Sequence, residues 1–182
     1  ALLANRAYFY SSLVNPVLTA LTAVVVYYLG LTLGLSKRKA CAAALIFGLA
    51  SPAATYARFD FAQPLASFLL MVALFFFIRA KRRPSWGRLV LSGVFLGLAI
   101  LTRPEFLIVP GMVMIVLAFF ISPSASKGSR WIDVGLFSLP VGLFVLLNQG
   151  INAIRFRGMF QVGYNLGDEF SFNLLHYGMA FA

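Results

Sequence analysis

Apolar residues fill this chain in long continuous runs, and the polar residues that interrupt them come in short clusters. The runs are rich in Leu, Ala and Phe and show no strict alternation, so they predict helices rather than strands. The first helix opens at Asn15-Pro16, Asn as N-cap and Pro at the first helical position, and runs to about Leu35, where Lys37-Arg38-Lys39 stops it. A second, about Ala40 to Ala57, carries Ser51-Pro52 and is expected to kink there. The third starts at Pro64 and ends at the basic run Arg79-Ala80-Lys81-Arg82-Arg83, and the fourth covers about Leu89 to Leu101. Both are short for a hydrocarbon layer of roughly 30 Å, which points to helix ends buried in protein around a polar cavity. The fifth starts at Pro104, bends at Pro110-Gly111 and reaches about Ile121. A polar loop from Ser122 to Arg130 then leads to the sixth, Trp131 to about Ile151, with Pro140 inside it. Gly30 with Gly34, and Gly93 with Gly97, stand four residues apart and predict close helix contacts.

Composition fixes the class. An apolar fraction of 61% and a mean hydropathy of +0.90 exclude an ordinary soluble domain. The expected fold is all-α: a polytopic transmembrane helical bundle of about six crossings, with short kinked helices around an outer-facing cavity. All of 1–182 then belongs to one transmembrane domain, with 1–12 the end of an outer loop, 13–151 the helices and 152–182 an outer or interfacial segment. The chain begins at Ala1 without Met and ends within an apolar run, so a piece of a longer protein is expected.

Charge orients the bundle. The net charge of +10 is not a nucleic-acid signal, because the cations sit in short runs beside apolar segments. One set of connections holds Lys37, Arg38, Lys39, Arg79, Lys81, Arg82, Arg83, Arg88, Lys127 and Arg130; the other holds Arg6, Arg58, Arg103, Arg155 and Arg157. The richer set is cytoplasmic, and a membrane crossed several times is expected. Asp60, Glu105, Asp168 and Glu169 all fall on the outer side, leaving Asp133 inside.

The polar residues that topology leaves unexplained therefore gather outside. Helices starting at Pro16, Pro64 and Pro104 would aim their N-termini there, and Arg58 and Arg103 adjoin two of these ends. Such an arrangement suits a phosphate, with Asp60 and Glu105 orienting the arginines or binding sugar hydroxyls. The plainer alternative is that both arginines snorkel to lipid headgroups and pair with those carboxylates. His176 is the single His, which argues against a His-based metal cluster within this chain; the cofactor is unknown, a divalent metal being possible but not indicated by these residues. Asp168-Glu169 is most simply a solvated pair, and Cys41 has no partner for a disulfide.

These residues also carry a family resemblance. Asn15-Pro16, the stretch Ala54-Thr55-Tyr56-Ala57-Arg58 through Phe61 to Gln63-Pro64-Leu65-Ala66, and Gly97-Leu98-Ala99-Ile100-Leu101-Thr102-Arg103-Pro104-Glu105 resemble the glycosyltransferase C-fold superfamily. The bacterial branch similar to glycosyltransferase family 39, the protein mannosyltransferase-like group, fits best, and Asn152 to Phe156 with Gly163-Tyr164 is similar to a later segment of that group. The resemblance implies transfer of a sugar from a polyprenyl-phosphate carrier, in contact with membrane lipid, to a glycan, lipid or protein acceptor outside. It implies substrate contacts at Arg103, Arg58, Asp60, Glu105, Gln63, Arg155 and Tyr164. Gln63 stands where the related pattern often has Glu, and the family's acidic first outer loop has no counterpart here, so the catalytic base is expected upstream of Ala1. The alternative from another class is a transporter or flippase of lipid-linked intermediates, which also needs kinked helices and a polar cavity.

Overall fold

In the computed structural model, residues 2–57, 62–83, 85–115 and 127–156 are described. They form helices throughout, with no strand among them: α1 (Leu2–Leu33), α2 (Lys37–Ala50), α3 (Pro52–Tyr56), α4 (Gln63–Arg82), α5 (Trp86–Thr102), a 3-10 turn at Pro104–Leu107, α6 (Ile108–Ile115) and α7 (Lys127–Phe156). Three stretches are long and apolar enough to cross a bilayer, Leu13–Leu33, Gln63–Arg82 and Trp131–Arg155, and two shorter apolar helices accompany them. The chain is thus an all-α membrane bundle. Two compact units divide it, Ala1–Val145 and Leu146–Ala182.

Several expected boundaries move. α1 does not start at Asn15-Pro16; Pro16 lies inside it. A proline within a helix forfeits one backbone hydrogen bond, and in an apolar setting a full break would leave more groups unsatisfied. Asn15 is buried, and its carbonyl accepts the Thr19 hydroxyl at 2.9 Å. The end of α1 is set by Gly34 at φ +96°, with Leu35 N–H donating to Gly30 O and Gly34 N–H to Leu31 O, the two bonds of a Schellman motif. Gly34 is therefore a cap and makes no helix contact, whereas Gly30 does: a Cβ built there would lie 3.2 Å from that of Ala40. The basic run Lys37-Arg38-Lys39 opens α2 instead of lying between helices.

At Ser51 the chain breaks fully, its backbone extended (φ −112°, ψ 167°), where a kink was expected. The Ser51 hydroxyl donates to Phe47 O and accepts from Ala53 N–H, so one side chain ends α2 and caps α3. α4 has 20 residues, about 30 Å of helix, and spans a bilayer unaided. The sequence reads as stopping at Arg79, but Arg79, Lys81 and Arg82 form its last turn, where cations suit the negative helix end. Arg88 then reaches back from α5, its guanidinium donating to the carbonyls of Arg83 (2.9 Å) and Arg79 (3.4 Å). α5 has 17 residues and remains short of a full crossing, as expected. The helix beginning after Pro104 passes Pro110-Gly111 within α6, and α7 starts at Lys127, inside the expected polar loop.

The packed centre of the larger unit lies between α4, α5, α6 and the first half of α7. Ala73, Ala80, Leu89, Leu96, Ile100, Phe137 and Val141 form its buried cluster. Between helices in lipid the hydrophobic effect gives little drive, so close van der Waals approach must hold them together. The glycines supply it. A Cβ on Gly93 would lie 2.4 Å from Phe137 O and 2.6 Å from Pro140 Cγ, and one on Gly97 2.4 Å from Phe144 Cδ2. The expected Gly93/Gly97 contact is therefore real, and its partner is α7. Large side chains such as Leu139 (75% exposed) point outward, as lipid-facing residues do.

Candidate functional site

α4 and α5 form an antiparallel pair, and its register is fixed by polar as well as apolar contacts. The buried Ser92 hydroxyl donates to Ala73 O at 2.8 Å, and Phe76 stacks on Phe95 at 5.8 Å and 10°. That register carries the C-terminal end of α5 to the level of the first turns of α4. Arg103 and Gln63 thus share one end of the hairpin.

Arg103 ends α5 because Pro104 follows it. The residue before proline is driven to extended backbone, and Arg103 adopts φ −145°, ψ 106°. Its own N–H still donates to Ala99 O at 2.9 Å, so the side chain is held at a defined helix end and not on a loose loop. Glu105 sits in the 3-10 turn that follows, and one guanidinium nitrogen of Arg103 stands 3.7 Å from a Glu105 carboxylate oxygen. That is an ion pair of single contact, longer than a hydrogen bond. The side chains are 33% and 64% exposed. A pair this open contributes little to stability, about 0–1 kcal/mol, and it leaves most of the guanidinium fork for another anion.

Gln63 opens α4 with Pro64 behind it, and both line a small pocket with Thr19, Thr22, Phe47, Ala53, Tyr56 and Ser67. Its volume is about 20 Å³, room for one water or a single hydroxyl group. Thr19 and Thr22 each donate to a carbonyl four residues back in α1, which leaves their oxygens able to accept. Asn15, Thr19 and Thr22 are all buried, and their 15, 19, 22 spacing puts one polar stripe on α1. The stripe is visible in the sequence at helical spacing, yet Thr19, Thr22 and Ser67 were not among the expected site residues.

Arg155 is exposed in the last turn of α7, within the smaller unit, where its charge suits the helix end. Arg58, Asp60 and Tyr164 lie outside the described residues, as do Asp168, Glu169 and His176. Of the three helix starts expected outside, α1 does not begin at Pro16, Pro104 opens a 3-10 turn, and Pro64 lies in the first turn of α4. Among the described residues no group of three His, Cys, Asp or Glu side chains could hold a metal ion.

Searches of curated proteins and of solved structures return no match. A family match does cover most of the chain, over residues 3–148, and it includes α1 to α6, the Arg103–Glu105 pair and the pocket beside Gln63. By that match the chain belongs to the dolichyl-phosphate-mannose-protein mannosyltransferase family, a family of membrane glycosyltransferases.

Proposed function

We propose that this chain forms the carrier-phosphate site of a glycosyltransferase that moves a sugar from a polyprenyl phosphate to an acceptor on the outer side of a bacterial cytoplasmic membrane. The observation that carries the proposal is Arg103: a guanidinium fixed at the end of a short membrane helix, one-third exposed and held by a single 3.7 Å carboxylate contact. A carrier phosphate leaves the sugar as an anion, and a cation already aimed at it stabilises the charge as it develops. Arginine also offers two parallel donors to two phosphate oxygens, which a lysine cannot. Glu105 steadies the fork without saturating it.

Gln63 and its pocket, at the same end of the α4–α5 hairpin, supply neutral hydrogen-bonding groups of the kind that bind a sugar hydroxyl. Family membership supports this reading over transport of the carrier lipid. It is also consistent with a donor of the lipid-phosphate-sugar type, the chemistry that the family's description names.

The test is turnover of a polyprenyl-phosphate sugar by the complete natural protein in proteoliposomes, with folded protein matched between variants. Arg103→Ala should lose about a hundredfold or more in kcat, the scale of removing one charge-stabilising donor, and Arg103→Lys should fall between. Near-normal turnover by Arg103→Ala would leave this residue a headgroup anchor.

A further inference from the structure

The far end of the α4–α5 hairpin, about 24 Å along α4 from Gln63, is crowded with cations. Arg79, Lys81, Arg82 and Arg83 are all exposed there. Asp133, the one carboxylate that the charge pattern puts on that side, is buried in α7. Nor are the four cations spent on the helix end. The Arg88 guanidinium already donates to the carbonyls of Arg83 (2.9 Å) and Arg79 (3.4 Å), and Arg83 N–H closes on Arg79 O at 3.1 Å. With the last carbonyls of α4 served in this way, the exposed charges are left for an anion from outside.

Arg79 shows where that anion sits. Its guanidinium lies over the ring of Phe75, 5.3 Å from the centroid and one turn back toward the apolar middle of α4. Helical side chains lean toward the N-terminus, so at this C-terminal end they lean toward the bilayer and not out to water. Stacking fixes the plane of the guanidinium and leaves the N–H groups around its edge as donors. Arg82 follows one turn on along the same face, whereas Lys81 stands on the opposite side of the helix. Both tryptophans of the chain, Trp86 at the start of α5 and Trp131 early in α7, are exposed, and the Gly93–Phe137 contact puts them at one level. Exposed indoles mark the depth of lipid headgroups.

We infer that Arg79 and Arg82 bind the phosphate diester of an anionic phospholipid on the face of α4 that carries Phe75. A lipid phosphate lies at the depth to which Arg79 is turned, and its acyl chains continue past Phe75 into the bilayer. A soluble anion gains nothing from a donor laid back along an apolar ring. Phosphatidylglycerol has the net negative charge the site calls for; phosphatidylcholine has the same phosphate but cancels it with its ammonium. The inference concerns the opposite end of α4 from Arg103 and does not rest on the donor assignment.

The test is native mass spectrometry of the complete natural protein in mild detergent, given equal amounts of the two lipids. Phosphatidylglycerol should be retained over phosphatidylcholine by about tenfold or more, and Arg79→Gln and Arg82→Gln should each lower its retention about fivefold. Both arginines are exposed, so neither change should move the unfolding midpoint measured without added lipid. Lys81→Gln removes the same charge from the other side of the helix and should leave retention unchanged. An equal fall with Lys81→Gln would reduce the cluster to a diffuse field of surface charge and overturn the inference, as would equal retention of the two lipids. Displacement of phosphatidylglycerol by inorganic pyrophosphate would assign the site to a soluble anion and overturn it too.

Discussion

Replacing Gly93 by alanine should loosen the contact on which the bundle depends. The new methyl would stand 2.4 Å from Phe137 O and 2.6 Å from Pro140 Cγ, against a backbone carbonyl and a ring that cannot rotate away. Ordinary carbon contacts begin near 3.4 Å, so α7 must retreat from α5 by about 1 Å. A gap of that size forfeits roughly a quarter to a half of each contact, and a buried side chain makes tens of contacts worth ~0.1–0.2 kcal/mol apiece. Phe137, wholly buried between Leu89, Leu96 and Ala73, takes most of the loss. Overpacking of this kind costs about 1–3 kcal/mol, and the better helix propensity of alanine returns at most ~1 kcal/mol. The net, with the full return subtracted, is a destabilisation of up to about 2 kcal/mol. The control is Gly142→Ala on α7, where an added Cβ meets nothing within 4 Å and stability should hold or rise slightly. The assay is unfolding from mild detergent into increasing dodecyl sulfate, followed by circular dichroism. Equal midpoints for Gly93→Ala and Gly142→Ala would refute the argument that this glycine is there for close approach.

Two further outcomes are expected. Ser92→Ala removes the Ser92–Ala73 hydrogen bond and should lower stability by about 0.6 kcal/mol, the mean for interhelical bonds in membrane bundles; a change well above that in the same unfolding assay would mean the hydroxyl does more than set the α4–α5 register. In a Cys41→Ser background, a single cysteine near Glu105 should react with an impermeant thiol reagent in intact cells and one near Arg82 should not, and the opposite pattern inverts the orientation drawn from charge.

Spacing carried the long-range information that was legible in the sequence. Gly93 and Gly97 four apart announced a close contact, and Arg103 before Pro104 announced a helix end, because each is a local steric rule that tertiary structure had no reason to override. The boundaries failed where two local rules competed. Pro16 looks like a helix start and Arg79 like a stop, but each costs a helix little: one backbone bond at the proline, and a favourable charge at the C-terminal turn. In an apolar medium the gain from keeping every other backbone group paired outweighs both, so the helices run on.

The sequence names candidate residues one by one but says nothing of their arrangement. Nothing local to Gln63 or Arg103 says that they share an end; that follows from the α4–α5 register, which rests on one hydroxyl and a pair of stacked rings in the middle of the two helices. The same register explains why short length matters. Because α5 stops after 17 residues, Arg103 is left beside the first turns of a full-length α4 and not beyond them. An arginine in that place is costly within the apolar layer unless an anion meets it, about 2.5–3.5 kcal/mol at a helix centre and less toward an interface. Glu105, 3.7 Å away and largely exposed, meets it only in part. A phosphate would meet it fully.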